Sequence, residues 1–291
     1  MQSLSVLLAA LTAPVAAQVC QIAFDGRVAK DFTLDGFDAD TSPYNPSNVF
    51  GKGLAWSSIL KFPAGNAGLF DVDAKPVEVT INDTSIFAPS ETNVQVGFRR
   101  AELLINSNSG TDPSTTGIKT LHFSLKKDAE RPLNTSHEYQ LVFLEDNSFS
   151  TNQFVLKTGT VLTGDGATDP DTLQLFGNVN EKTPGMIFSA PFLPGTFHNF
   201  ALKLDFTANT TQVFYSTGNC ELTQQTEPIT NNLAGQGQFH FGMLKKPTGE
   251  FTDISKSGFQ PADIDEGIIY SGIYEEDSTD GCLSLSPTKK L

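Results

Sequence analysis

Arginine and glutamate two residues apart, in Phe98-Arg-Arg-Ala-Glu-Leu-Leu104, are the first groups in this 291-residue chain whose types and spacing suit chemistry. In an extended strand alternate side chains share a face, so Arg100 and Glu102 stand together, opposite Arg99, Ala101 and Leu103. Burying such a pair in an otherwise apolar strand is costly unless it lines a groove. A second run, His137-Glu-Tyr-Gln-Leu-Val-Phe-Leu-Glu145, puts Glu138 and Gln140 on one face and His137 and Tyr139 on the other. Glu145 falls at its end, where a surface position is the default. A third run, Gln238-Phe-His-Phe-Gly242, alternates Gln238 and His240 with Phe239 and Phe241, and Lys245-Lys246 follow. Singly, each run reads as a strand with one solvated face. Together they describe the concave floor of a cleft.

Such a floor suits sugars, because hydroxyl-rich ligands need the donors and acceptors that Arg, Glu, Gln and His provide. Cleaving a glycosidic bond takes two carboxyl groups, one protonated to assist the leaving oxygen and one ionised. Glu102 and Glu138 are the expected catalytic pair, with Glu145 the fallback for the second. Arg100, Gln140, Gln238 and His240 are the expected substrate-binding residues. Arg100 beside one carboxyl lowers its pKa and partial burial raises the other, which separates the two roles.

The elements that must position these groups read as strands. Runs at Val19–Phe24, Ala55–Phe62, Val77–Ile81, Phe98–Ile105, Lys119–Leu125, Glu138–Leu144, Asn152–Lys157 and Thr172–Phe176 are β-type and cut by Gly, Pro, Asn, Asp and Ser clusters. The series continues with Phe197–Phe206, Gln212–Ser216, Gln238–Leu244 and Gly267–Ile273. In the Phe200–Phe206 stretch, Phe200, Leu202, Leu204 and Phe206 share one face. No segment keeps a capped helical period. The pattern predicts an all-β fold, a two-sheet β-jelly-roll sandwich of concanavalin-like type in a single domain. The 23 phenylalanines beside one tryptophan suit the gap between packed sheets. Nucleotide loops, the G-x-S-x-G elbow and HExxH are absent, and the four histidines lack metal-ligand spacing. Asp165, Asp169 and Asp171 resemble a calcium loop but read better as a solvated turn, so neither metal nor cofactor is expected.

A net charge of −14 argues against nucleic acid or an anionic membrane as partner. Leu4–Ala17 is apolar and leaves through Val15-Ala16-Ala17, which predicts a signal peptide over 1–17, a secreted extracellular protein and a catalytic domain over 18–291. Past it, no apolar run is long enough to span a bilayer. Secretion makes the three cysteines disulfide candidates. Cys20 with Cys282 is the first choice because domain termini are often close, although two other pairings stay open. That choice leaves Cys220 free. Asn82, Asn134 and Asn209 lie in glycosylation sequons.

Read whole, the chain resembles the fungal secreted β-glucanases of glycoside hydrolase family 131. The matching stretches include CQIAFDGRV (20–28), AWSSILKFP (55–63), GFRRAELL (97–104), GIKTLHFSLKKD (117–128) and SHEYQLVFLE (136–145). Others are STNQFVLKTG (150–159), DTLQLFGN (171–178), HNFALKLDF (198–206), GQGQFHFGMLKKPTG (235–249) and EGIIYSGIYEED (266–277). The resemblance implies a jelly-roll sandwich that hydrolyses β-1,3/1,6- and β-1,4-linked glucans, cellulosic ones included. It also implies anomeric inversion by two glutamates, carried here onto Glu102 and Glu138, either of which suits acid or base. A monomer acting on a β-glucan polysaccharide is expected. Two rivals remain. A jelly-roll lyase acting on a polyuronate would draft Arg100, Gln238, His240 and Tyr139 or Tyr215. A non-catalytic sugar-binding sandwich would need a stacking platform from Trp56 and the five tyrosines.

Overall fold

The structure, a computed structural model, describes residues 20–287; the leader expected over 1–17 lies outside them. In chain order the first strands are β1 (Ile22–Asp25), β2 (Val28–Ala29), β3 (Leu60–Lys61), β4 (Ala74–Lys75), β5 (Val77–Asn82) and β6 (Arg99–Leu104). Then come β7 (Ile118–Lys127), β8 (Glu138–Glu145), β9 (Asn152–Gly159), β10 (Thr172–Phe176), β11 (Met186–Pro191) and β12 (His198–Asp205). The last are β13 (Thr210–Thr217), β14 (Thr223–Gln224), β15 (Ile229–Thr230), β16 (Gln238–Lys245) and β17 (Asp265–Asp277). One sheet runs β14-β13-β12-β7-β17-β5-β3, with β1 on β17 and β15 on β13; the other runs β11-β10-β9-β8-β16-β6. Every pairing in these two sheets is antiparallel. This is the sandwich that alternation predicts.

Phenylalanine fills the gap between the sheets as the composition implies. Phe123 and Phe200 stack at 5.1 Å on the larger sheet, and Phe123 meets Phe241 of the smaller one edge-on at 6.3 Å. Phe200, Leu202 and Leu204 are fully buried, while Phe206, beyond the strand, is half-buried against the same core. Two details differ from expectation. Within Ala55–Phe62, Trp56–Ile59 forms a helical turn and only Leu60–Lys61 pairs as a strand. Ser58 causes this: its hydroxyl donates to the Ala55 carbonyl at 2.7 Å and accepts from the Ala55 amide at 3.3 Å, which closes the turn locally. Strand β11, where alternation is weak, and the two-residue strands β2, β4, β14 and β15 are not among the expected runs.

Cys20 and Cys282 form a disulfide with Cα atoms 5.6 Å apart, and Cys220 is free and exposed. Asn134 is exposed, whereas Asn82 and Asn209 are half-buried and their side-chain oxygens accept from the amides of Thr84 and Leu233.

The feature that shapes the smaller sheet is a wedge-like bulge. Phe241 pairs with Val142 but Leu244 with Gln140, so β16 carries one residue more than β8 there; β8 in turn carries one more than β9. The extra residue puts Leu141 and Val142 both into the core. Facing therefore changes partway along β8: Glu138 and Gln140 look outward, and so do Phe143 and Glu145. Gly242 sits in the bulge, where a Cβ would meet the Ala101 carbonyl at 2.1 Å. The freed carbonyls find one donor across the core. Tyr270 of β17 reaches from the opposite sheet and its hydroxyl faces Leu141 O at 2.9 Å and Gly242 O at 2.7 Å.

Replacing Tyr270 by Phe keeps the ring and strands those carbonyls, so stability should fall by about 1–3 kcal/mol in urea unfolding. A second buried group makes a pH test. Glu275 is fully buried, neither of its carboxyl oxygens has a hydrogen-bond partner among the described residues, and burial pushes its pKa well above the usual carboxylate range. Burial therefore favours its protonated form in the folded state relative to the unfolded chain. Its contribution is therefore full below the unfolded pKa of about 4.3 and is lost as pH rises toward the folded value, at up to about 1.4 kcal/mol per pH unit. Urea midpoints at pH 5 and pH 8 should show Glu275→Gln losing less stability over that interval than the native chain.

Candidate active site

Strand β6 lies at the edge of the smaller sheet, and its backbone is held from outside. The Glu102 amide donates to Val49 O at 2.9 Å and the Arg100 amide to Ser85 O at 2.8 Å. Val49 holds this position with φ = 55°, a left-handed conformation that a β-branched residue adopts only at a cost. Arg100 and Glu102 project together, as alternation predicts. The guanidinium grips the carboxylate with two 2.7 Å hydrogen bonds, donates to Gln95 Oε1 at 3.0 Å and lies 5.5 Å from the centre of the Phe87 ring. A two-pronged ion pair of this kind fixes orientation as well as charge.

Strand β16 brings His240 beside that pair. His240 Nδ1 is 2.7 Å from Glu102 Oε2, its Nε2 is 3.5 Å from Glu145 Oε2, and its ring stacks on Phe143 at 4.3 Å. One imidazole therefore joins the two carboxylates. Burial alone would lower the His240 pKa, but the contacts with Glu102 and Glu145 outweigh it, and the ring holds its proton above the ordinary histidine range. For Glu102 burial pushes upward, while the charge of Arg100 and the His240 hydrogen bond more than reverse it, so the carboxyl stays ionised below its usual value. Glu102 is fully buried, whereas the Glu145 side chain is 27% exposed and meets solvent. Glu102 Oε2 has two donors and Oε1 only Arg100 Nε, which leaves a lone pair on Oε1 for a water.

The remaining expected residues sit around this triad. Gln238, opposite Glu145, is half-exposed and donates to Asn108 O at 2.9 Å. Gln140 accepts from Asn152 Nδ2 at 3.2 Å and is buried. Glu138 stands apart. It occupies the other end of β8, about 20 Å along an extended chain from Glu145. Its carboxylate is taken by Lys246 at 2.6 Å, Lys157 at 3.2 Å and the Leu162 amide at 2.8 Å. Burial would raise its pKa, and the two lysines bring it below the ordinary value instead. It shares no partner with Glu102 or His240. The imidazole on Glu102 thus reaches Glu145, the fallback carboxylate, while Glu138, the first choice, has a separate set of partners. Strict alternation sets Glu145 on the face opposite Glu138, and the bulge reverses that. Gly242, a glycine inside a strand, was the available signal.

Beside His240, toward β9 and β10, the floor closes. Phe143, Val155 and Phe176 form an apolar patch on the outer face, covered by Val161 from the loop after β9. The open, polar part is bounded by β6, β16 and the Glu145 end of β8. Asp165 accepts from the Thr163 hydroxyl, Asp169 from the Asp171 amide at 2.9 Å, and Asp171 pairs with Lys127. Among the described residues no cluster of three or more His, Cys, Asp or Glu is arranged to hold a metal ion.

Among curated proteins no sequence matches this chain. Solved structures do. A GH131 β-glucanase catalytic domain from Podospora anserina aligns with TM-score 0.69 at 23% identity, covering 91% of this chain and 98% of that one. The catalytic domain of a glycoside hydrolase family 131 protein from Coprinopsis cinerea aligns with TM-score 0.68 at 22% identity, covering 92% and 98%. At these identities the likeness establishes the fold. The family rests on sequence: the glycoside hydrolase 131 catalytic N-terminal domain matches residues 22–281, nearly the whole sandwich and every residue of the site, and the chain belongs to glycoside hydrolase family 131.

Proposed function

We propose that this chain is a secreted β-glucanase that hydrolyses β-1,3/1,6- and β-1,4-linked glucose chains with inversion, using Glu102 and Glu145. The observation that carries the reading is the single imidazole touching both carboxylates, at 2.7 and 3.5 Å. One ring and two contacts set the carboxyl groups apart by a span compatible with the roughly 6.5–9.5 Å that leaves room for an attacking water, wider than the about 5–5.5 Å of a direct nucleophile. Glu102, held ionised by Arg100, is the general base and takes the water proton on Oε1. Glu145, facing solvent, is the general acid and protonates the leaving oxygen. His240 sets both carboxyl groups in place, with Nδ1–H on Glu102 and Nε2 toward Glu145, and after cleavage Glu102 gives its proton to solvent while Glu145 regains one from it. Secretion is supported by the Cys20–Cys282 disulfide, a bond of oxidising compartments.

The rivals lose their distinguishing groups. The Tyr139 hydroxyl points between the sheets, donating to Glu266 at 2.8 Å, and Tyr215 bonds His198 at 2.6 Å on the other sheet. Neither stands beside Arg100 for a lyase. Trp56, Tyr44, Tyr139, Tyr270 and Tyr274 are buried, which removes a Trp/Tyr stacking platform.

Glu102→Gln and Glu145→Gln should keep their thermal midpoints and lose about 10²–10⁴ in kcat on laminarin-type or cellulosic glucan. Glu138→Gln should lower the thermal midpoint, because buried Lys157 and half-buried Lys246 lose their counter-ion, and retain activity within about tenfold. Full activity in Glu145→Gln, or an ultraviolet-absorbing unsaturated product from polyuronate, would overturn the proposal. Inversion is read directly from the first anomer released, by NMR. A separate check uses pH. Replacing Arg100 by Lys loosens the grip on Glu102, so its depressed pKa should rise and the acid limb of the kcat profile should move to higher pH.

A further inference from the structure

Phenylalanine exposed on a folded surface is uncommon in this chain, and one such residue stands on the line of the groove. Phe259 is 61% exposed, and Phe251 and Val96, on the same pair of loops, are 39% and 47% exposed. The backbone places Phe259. Past β16, the Lys246 side chain reaches Glu138 on the concave face, and Thr248, two residues on, falls on that face by alternation. Thr248 and Phe259 exchange both backbone hydrogen bonds, 3.0 and 2.8 Å, and partners across such a pair project to one side.

The loop bearing it is anchored. Gln260 Nε2 donates to Gly97 O at 2.9 Å, the Gly97 amide to Ser255 O at 2.9 Å, and Lys256 Nζ to Val94 O at 3.1 Å. The segment gripped in this way also supplies Gln95 to Arg100. The aromatic face is therefore held in fixed relation to the Arg100 end of the site. Eight residues separate His240 from Thr248, about 26 Å of strand and several sugar rings.

We propose that Phe259 forms a distal sugar-stacking subsite, which seats a ring of a long glucan chain whose scissile bond lies at Glu102 and Glu145. This rests on the glucanase reading. A hydrophobic ring stacked on the apolar face of a pyranose gains from excluding water without forming a directed bond, so the subsite strengthens binding of long chains and leaves the chemical step alone.

The experiment compares the native chain, Phe259→Ala and Phe259→Trp on glucan polymer and on a trisaccharide of the same linkage. Phe259→Ala should raise KM on polymer about three- to tenfold with kcat unchanged, leave the trisaccharide unaffected, and be rescued by Phe259→Trp. Equal KM on polymer for native and Phe259→Ala chains, or an equal loss on both substrates, overturns the subsite while native turnover upholds the glucanase reading. A native chain that releases no sugar from any glucan overturns both.

Discussion

Two backbone carbonyls with no partner in their own sheet set the geometry on which the site depends. A bulge between β8 and β16 frees Leu141 O and Gly242 O, and carbonyls left bare in a sandwich core are expensive. Tyr270 supplies the donor from the other sheet, crossing the core with its hydroxyl 2.9 and 2.7 Å from them. The bulge is thus tied to the packing of the two layers. Its consequence appears on the opposite face: with Leu141 and Val142 both turned inward, Phe143 and Glu145 turn outward beside His240. A regular strand would have sent Glu145 into the core.

Four buried glutamates show how environment divides one side chain into different roles. Glu102 has a bidentate arginine and an imidazole, and stays charged. Glu138 has two lysines and an amide, and is charged as well. Glu266 pairs with Lys245 at 2.6 Å between the layers, where it also accepts from Tyr139. Glu275 has no hydrogen-bond partner among the described residues, and burial favours its neutral form. The net charge of −14 says nothing about which is which, because each state is decided within a few ångströms by paired donors.

How much could be read from sequence follows the same division. Alternation located the strands that carry Arg100, Glu102, Gln238 and His240, because β6 and β16 pair without a register break. The positions of Cys20 and Cys282 near the two ends made their pairing the first of three choices, and it is the one that forms. Glu145 was hidden because its facing depends on one extra residue in a neighbouring strand, and no periodicity within β8 reports that. Glu138 reads from sequence as an unpaired carboxylate, because Lys157 and Lys246, far apart in sequence, meet it only in the fold. Trp56–Ile59 escaped for a local reason: a serine hydroxyl outweighed a β-type composition over four residues.

Glu138 is nevertheless not remote from the chemistry in the mechanical sense. Its carboxylate holds the Leu162 amide, which fixes the loop whose Val161 covers Phe143, Val155 and Phe176. Phe143 is in turn the ring on which His240 lies, at 4.3 Å and nearly parallel. The chain of contacts from Glu138 through Leu162, Val161 and Phe143 to His240 involves one ion cluster, one apolar patch and one stack. It transmits position and not protons, since no titratable group lies on it between Glu138 and His240. The apolar half of the concave face therefore works as a backing plate: it holds flat the imidazole that Glu102 and Glu145 share.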